Sequence, residues 1–136
     1  KTETFLREVY SDSSLELIDL NAADISAYSY SRTSPDAFQK IIRNALAADI
    51  VALATPVYWY AMSGAMKNFI DRFSDLMSGE SQSLGEALYG KRIHLVATGH
   101  ELNLPLGFEV PISCTAMYFG MDYMGAIYRS SQEKTL

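Results

Sequence analysis

The sequence predicts an α/β fold, an open parallel sheet with helices on both faces, built as a single domain. Short apolar runs of strand length alternate along the chain with amphipathic stretches of helical period. One of those runs, Ile50-Val51-Ala52-Leu53-Ala54, is continuously apolar, as strands covered on both faces are. The chain has 136 residues, of which 49% are hydrophobic and 20% charged. That is enough for one core and too little for two domains of ordinary size.

The elements follow in order. Lys1 to Tyr10 reads as a helix with Phe5, Leu6 and Val9 on one face. Leu15 to Leu20 reads as a strand. Ala22 to Arg32 is polar and without a period, so it reads as a loop, with Tyr28 and Tyr30 as packing anchors. Ser34 can cap and Pro35 suits a first helical position, and Phe38, Ile41, Ile42, Ala45 and Leu46 follow at helical spacing, giving a helix from Pro35 to Ala47. After the strand Ile50 to Ala54 and a loop from Thr55 to Ser63, Met66, Phe69, Ile70, Phe73 and Leu76 form one helical stripe. Lys67, Asn68, Asp71, Arg72 and Asp75 face away from it, and the helix runs to about Met77. Ser78 to Gly90 reads as a surface connection to a strand, Arg92 to Thr98. Pro105 and Pro111 bracket a helix start, with Val110, Cys114, Met117 and Met121 at helical spacing. A last strand, Tyr123 to Tyr128, precedes a polar tail.

Composition removes several function classes. The 11 basic and 16 acidic residues leave a net charge of −5, the wrong sign for a surface that neutralises phosphates, so no nucleic-acid partner is expected. The single cysteine, Cys114, permits no internal disulfide, which points to a reducing, cytoplasmic setting. The richest apolar stretch, Ile50 to Met62, is broken by Thr55 and Pro56 and falls short of the ~20 residues needed to span a bilayer, so no membrane partner is expected.

Most catalytic signatures fail. No two glycines stand at G-x-G spacing. Gly85 to Arg92 reads GEALYGKR, but Arg92 replaces the hydroxyl residue of a phosphate loop, and the segment leads into a strand rather than out of one. His100-Glu101 is followed by Leu104 where a zinc-protease helix needs its second histidine. With one Cys and two His, no metal is expected. No G-x-S-x-G elbow exists. His94 sits mid-strand and reads as a partly buried, hydrogen-bonded residue.

Ligands of open α/β sheets bind beyond the carboxyl ends of strands, so the loops after Ala54 and after Thr98 are the places to look. The first carries Tyr58-Trp59-Tyr60 behind a proline, and three consecutive aromatics cannot all point into one core. Such a loop suits a flat aromatic ligand, because ring faces give contact area while N–H groups outside any ladder can donate to its carbonyl and nitrogen acceptors. The alternative is that Tyr58 and Trp59 plug the sheet end or form a dimer interface.

The segment ATPVYWYAMSGAMKNFIDRF, Ala54 to Phe73, resembles the diagnostic segment of the flavodoxin-fold NAD(P)H-dependent FMN reductases and quinone reductases. The resemblance extends to GKR opening the next strand, to the Thr98-Gly99-His100 turn after it, and to GFEVPISCTAMYFGMDYMG, Gly107 to Gly125. It implies a flavodoxin-like, three-layer, doubly wound parallel sheet of order 2-1-3-4-5 with FMN at the switch point. Leu15 to Leu20 would then be the second strand, and Ile50, Arg92 and Tyr123 would open the third, fourth and fifth. The family's first strand and its phosphate loop would lie before Lys1. Without that strand, its two neighbours would expose unpaired backbone groups.

The resemblance also implies the ring site: Thr55, Pro56, Val57, Tyr58, Trp59, Tyr60 and Met62 on the first loop, with Thr98, Gly99 and His100 on the second. The implied activity takes hydride from NAD(P)H through FMN to a small-molecule electron acceptor: a quinone, free flavin, azo or nitro compound. No catalytic side chain is assigned. A flavodoxin-type electron carrier and an FMN-less binding module are the competing expectations, and a homodimer is implied.

Overall fold

The computed structural model describes residues 1–31 and 34–133. Arg32, the end of the expected loop, and the last three residues of the polar tail lie outside them. Helix α1 (Thr2–Val9) is followed by α2 (Ala37–Ala47), strand β1 (Ile50–Pro56) and α3 (Gly64–Asp71). Two 3-10 turns (Arg72–Leu76 and Gly79–Ser81) lead to α4 (Gln82–Ala87), β2 (Arg92–Gly99), α5 (Val110–Tyr118) and β3 (Asp122–Ser130).

The three strands form a parallel sheet in the order β1-β2-β3, with Ile50 beside Arg92 and Pro56 beside Thr98. Between β2 and β3 the register slips by one residue after Ile93, where Gly125 takes a φ of 95°. A bulge of this kind suits glycine, because residues with a Cβ rarely adopt so positive a φ.

Period two along β2 divides the core. Ile93, Leu95 and Ala97 face a large cluster with Phe38, Ile42, Phe69, Phe73, Leu76, Leu88 and Ile112. Val96, on the opposite face, packs with Phe5 and Leu6 of α1. Helix α1 runs against β2 in matched steps: Thr2 Oγ1 lies 2.6 Å from Thr98 Oγ1, Leu6 packs with Val96, and Tyr10 Oη lies 2.6 Å from His94 Nδ1. Eight helical residues rise about 12 Å and four strand residues about 13 Å, so residues four apart on α1 meet residues two apart on β2. His94 is thus the hydrogen-bonded strand histidine expected.

Several expectations need correction. The helix after residue 34 begins at Ala37, and its cap is Asp36, whose carboxylate accepts from Phe38 N, rather than Ser34. Arg72 does not face away. It is fully buried, with Nη1 2.6 Å from Asp36 Oδ2, Nε 2.8 Å from Asp75 Oδ2, and its guanidinium over the Phe38 ring. A guanidinium can be buried there because carboxylates and the Ser26 carbonyl accept its protons. The helix expected to carry it ends at Asp71, and Arg72 opens the 3-10 turn that follows. The stretch from Ser78 to Gly90 is not all surface, since it contains α4 and the buried Leu88.

Of the expected apolar stripe, only Met121, just past α5, is buried. Ile112 and Ala116 are buried, whereas Val110, Cys114 and Met117 are exposed. The helix is apolar all round, so spacing alone could not tell its inner face. Tyr30 is no packing anchor, being 97% exposed, with its ring edge-on to Tyr28.

Leu15 to Leu20 is not a strand of the sheet. It runs without regular secondary structure, half-exposed, and β1 is an edge strand. Between them lies a cavity of about 1040 Å³, lined on one side by Ile50 to Ala54 and on the other by Ser13 to Asn21, with α1 and α2 at its ends. A strand exists only through ladder bonds to a neighbour, and among the described residues none stands beside this segment. Of the four strands expected within this chain, three form the sheet among the described residues, for the same reason.

Candidate functional site

The carboxyl ends of β1 and β2 bring the two expected loops together. Val57 N donates to Thr98 O at 2.8 Å, extending the pairing by one residue past β1. The chain then makes a two-residue hairpin. Tyr58 N donates to Ala61 O at 2.8 Å and Ala61 N to Tyr58 O at 3.1 Å. The residues at its tip, Trp59 and Tyr60, have φ of 49° and 66°. Two consecutive left-handed residues are the signature of a type I′ turn, which favours Asn-Gly. For residues with a Cβ the left-handed region costs about 1–2 kcal/mol each.

The return path is fixed with equal care. Thr55, 1% exposed, accepts from Ser63 N at 2.9 Å and donates to Pro56 O at 3.0 Å. Ser63 in turn caps α3, its hydroxyl accepting from Met66 N. The hydroxyl of Thr55 is therefore spent inside the scaffold, and its role at the site is to hold the loop closed.

The expected residues separate into two groups. Thr55, Val57 and Met62 face the protein, with Val57 and Met62 packed on the core. Tyr58, Trp59 and Tyr60 face solvent at 61%, 93% and 64% exposure, so none of the three plugs the end of the sheet. Among the described residues the N–H groups of Trp59 and Tyr60 have no protein acceptor.

The second loop is equally tied down. Ser131 N donates to Gly99 O at 2.8 Å, and Ser130 Oγ donates to His100 O at 3.2 Å. Tyr128 Oη donates to Glu101 O at 2.7 Å. Burial, with the charges of Glu101 and Glu133 adding to it, raises the Tyr128 phenol above its ordinary pKa, which keeps it a donor. A Cβ at Gly99 would stand 2.7 Å from Tyr128 Oη and 3.1 Å from Val57 Cβ, so only glycine lets the two loops approach this closely. His100 is exposed, with Nδ1 3.5 Å from Ser131 Oγ.

Sequence reasoning missed Thr2, Ser63 and Ser130, which hold this end of the sheet. The capping role of Ser63, just before Gly64 and the apolar stripe, was readable locally. The contact of Thr2 with Thr98 spans 96 positions and leaves no local signal.

The surface so built has two N–H donors without a protein acceptor among the described residues, three exposed aromatic rings and a neighbouring loop held by hydrogen bonds. Chemically it can bind a planar molecule with acceptors along one edge. It offers no nucleophile-base pair, and among the described residues no three His, Cys, Asp or Glu side chains stand together to hold a metal. Nor is any described helix long and apolar enough to cross a membrane.

Comparisons with known proteins bear on the family and the fold. Residues 2–104 match the family described as NADPH-dependent FMN reductase. A Bacillus subtilis (strain 168) protein named as an NAD(P)H-dependent FMN-containing oxidoreductase, YwqN, is 35% identical over 69 residues. That match covers 50% of this chain and 38% of YwqN. The Trp repressor binding protein of Bacillus subtilis superposes with a TM-score of 0.77 at 23% identity, over 98% of this chain and 82% of that one. A WrbA-like flavodoxin of Agrobacterium tumefaciens superposes with a TM-score of 0.54 at 19% identity, over 68% and 59%. These two structures speak for the fold alone, which is flavodoxin-like. With the family match spanning most of its length, the chain belongs to the NADPH-dependent FMN reductase family.

Proposed function

We propose that this protein is a cytoplasmic FMN-dependent NAD(P)H oxidoreductase, and that the Thr55 to Met62 and Thr98 to His100 loops hold the flavin ring. The observation that carries the reading is the hairpin at the end of β1. Among the described residues its two N–H groups have no protein acceptor, on a backbone closed by hydrogen bonds on both sides. The donor set fits the group: a flavin ring is flat, apolar on its faces and rich in acceptors along one edge.

When bound, FMN supplies the redox chemistry, taking hydride from NAD(P)H and giving electrons to a second acceptor such as a quinone, free flavin, azo or nitro compound. The protein's part is position and electrostatics. Trp59 and Tyr60 N–H groups donate to the polar edge, where negative charge is best stabilised by dipoles already in place. Val57 N on Thr98 O and the close contact of Gly99 with Val57 hold the two loops at a fixed separation. No side chain need exchange a proton. A second copy of the chain would cover the exposed aromatic face and exclude water from it. The test is NADH and NADPH consumption by the FMN-loaded protein with each acceptor class, and oxidation of neither nucleotide would refute the reading. Light scattering that finds only monomer in the FMN-loaded protein would refute the dimer.

We also propose that the cavity beside β1 is the slot of a further parallel strand, whose connection into α1 carries the phosphate-binding loop. Two features support this. β1 has a free edge toward the cavity, and the facing Ser13 to Asn21 wall includes an extended stretch without ladder bonds. Hydrogen exchange on a chain that includes such a strand should find the Ile50 to Ala54 amides strongly protected. Rapid exchange there would count against it.

A further inference from the structure

The two site loops lie in stretches of chain without a basic residue. No Lys or Arg occurs from Thr55 to Met66 or from Ile93 to Tyr128, and the first stretch has no acid either. In the second, Glu101 follows His100 on the site loop itself. Its backbone is fixed, because Tyr128 Oη donates to Glu101 O at 2.7 Å while Ser130 Oγ donates to the neighbouring His100 O. Glu101 is exposed and belongs to no ion pair among the described residues. Cations of neighbouring elements are engaged or turned elsewhere. Lys67 pairs with Asp71, Arg129 pairs with Glu8, and Lys1 precedes α1 on the opposite face of β2.

The Tyr128 phenol shows how far the Glu101 charge reaches. Burial first, and then the charges of Glu101 and Glu133, raise that phenol above its ordinary pKa. A Cβ on Gly99 would touch both the phenol and Val57, so the phenol stands at the root of the aromatic hairpin. Trp59 is two residues beyond Val57, a chain span of about 7 Å, which leaves Glu101 on the order of 10 Å from the hairpin, within reach of a charge at low salt.

We propose that Glu101 is a specificity-determining residue of this site, favouring neutral and cationic electron acceptors over anionic ones. This rests on the flavin reading for the reaction and goes beyond it in naming the acceptor class. Glu101 holds no ligand of its own; its charge acts on whatever approaches the hairpin. Uncharged quinones and nitro compounds enter against no field, whereas sulfonated azo compounds and free FMN bring an anion with the ring. The dihydronicotinamide of NAD(P)H is itself uncharged, and its phosphates are set back from the reacting ring. Glu133 adds to the field, but Lys134 follows it outside the described residues, so the assignment is made to Glu101.

Trp59, the one tryptophan of the chain and 93% exposed, reads the field without any flavin. Its emission is quenched in the FMN-free protein by caesium and by iodide at about pH 8, where histidines are uncharged. Each quenching constant is divided by that of N-acetyltryptophanamide. The expected ratio at low salt, caesium over iodide, is about two. Glu101→Gln should bring it toward unity and Glu101→Lys below unity. The second arm gives the FMN-loaded protein NAD(P)H and two inorganic acceptors of opposite charge, hexaammineruthenium(III) and ferricyanide. Two ions take one electron each for every NAD(P)H oxidised, and a proton is released. The ratio of their kcat/KM values, cation over anion, should fall about tenfold in Glu101→Gln at low salt, and should fall in the parent as salt is raised. Taking the ratio cancels any change that the substitution makes to both acceptors alike.

Equal quenching by the two ions in the parent, or a quenching ratio unmoved by Glu101→Lys, overturns the field. A quenching ratio that follows Glu101 beside an acceptor ratio that does not overturns the role in specificity. If the protein binds no FMN, the flavin reading fails and the acceptor assignment with it. The quenching still decides whether Glu101 sets the charge at the hairpin.

Discussion

Arg72→Met tests the joint between the two helical units that carry the site loop. The guanidinium is fully buried and makes four contacts: two with Asp36, at 2.6 and 3.2 Å, one with Asp75 at 2.8 Å and one with the Ser26 carbonyl at 2.9 Å. Methionine fills most of the same volume, so little packing is lost. What remains is a buried Asp36, its side chain only 5% exposed, without the Arg72 charge. Removing one partner of a buried pair costs about 3–5 kcal/mol. At a urea m-value of about 2 kcal/mol/M, the midpoint should fall by roughly 2 M. Asp36→Asn keeps a competent helix cap and should cost less, about 1–3 kcal/mol. Because both changes break the same bonds, the double variant should be more stable than the sum of the two predicts, by about 1–3 kcal/mol. A loss below about 1 kcal/mol for Arg72→Met, or strict additivity, would refute the claim that this pair holds α2 to the turn after α3.

Acid should probe the same residue. Burial by itself would push the Asp36 carboxyl up, but hydrogen bonds from Arg72, Ser26 N and Phe38 N and the Arg72 charge outweigh it and bring its pKa to about 2. The unfolded chain, near 3.9, binds the proton more readily, so this group stabilises the fold fully above about pH 4. That contribution, about 2 kcal/mol, is lost between about pH 4 and pH 2, and the loss should vanish in Asp36→Asn. Gly99→Ala should destabilise by about 1–3 kcal/mol and weaken flavin binding together, because the added methyl meets both Tyr128 and Val57. Unchanged stability would mean that the loops are not in close contact. Thr98→Val removes the partner of the Thr2 hydroxyl and should cost about 1 kcal/mol, with amide exchange at the start of α1 accelerating. Unchanged exchange at Phe5 and Leu6 would show that α1 is not pinned there.

Where one face of an element is buried by a single regular pattern, the sequence discloses it. β1 and β2 were legible from continuous apolar runs, and α2 and α3 from their stripes, to within two residues at their amino ends. Failures came where a long-range partner decides. Arg72 reads as a surface cation until Asp36, 36 positions away, is placed beside it. Val110, Cys114 and Met117 share a spacing with a core stripe, yet α5 has apolar residues all round and turns Ile112 and Ala116 inward. Leu15 to Leu20 has the composition of a strand without a ladder neighbour among the described residues. The candidate site was legible as a loop, since three consecutive aromatics after a strand demand an outward surface. Its left-handed turn was not, because neither Trp nor Tyr announces positive φ as Asn or Gly would.

Trp59 is the only tryptophan in the chain, which makes the central claim directly measurable. Titrating the purified protein with FMN while following tryptophan emission reports flavin bound within energy-transfer range of that turn. Saturable quenching of Trp59, with flavin fluorescence quenched in parallel, is the predicted result. Unchanged tryptophan emission at saturating FMN would contradict it.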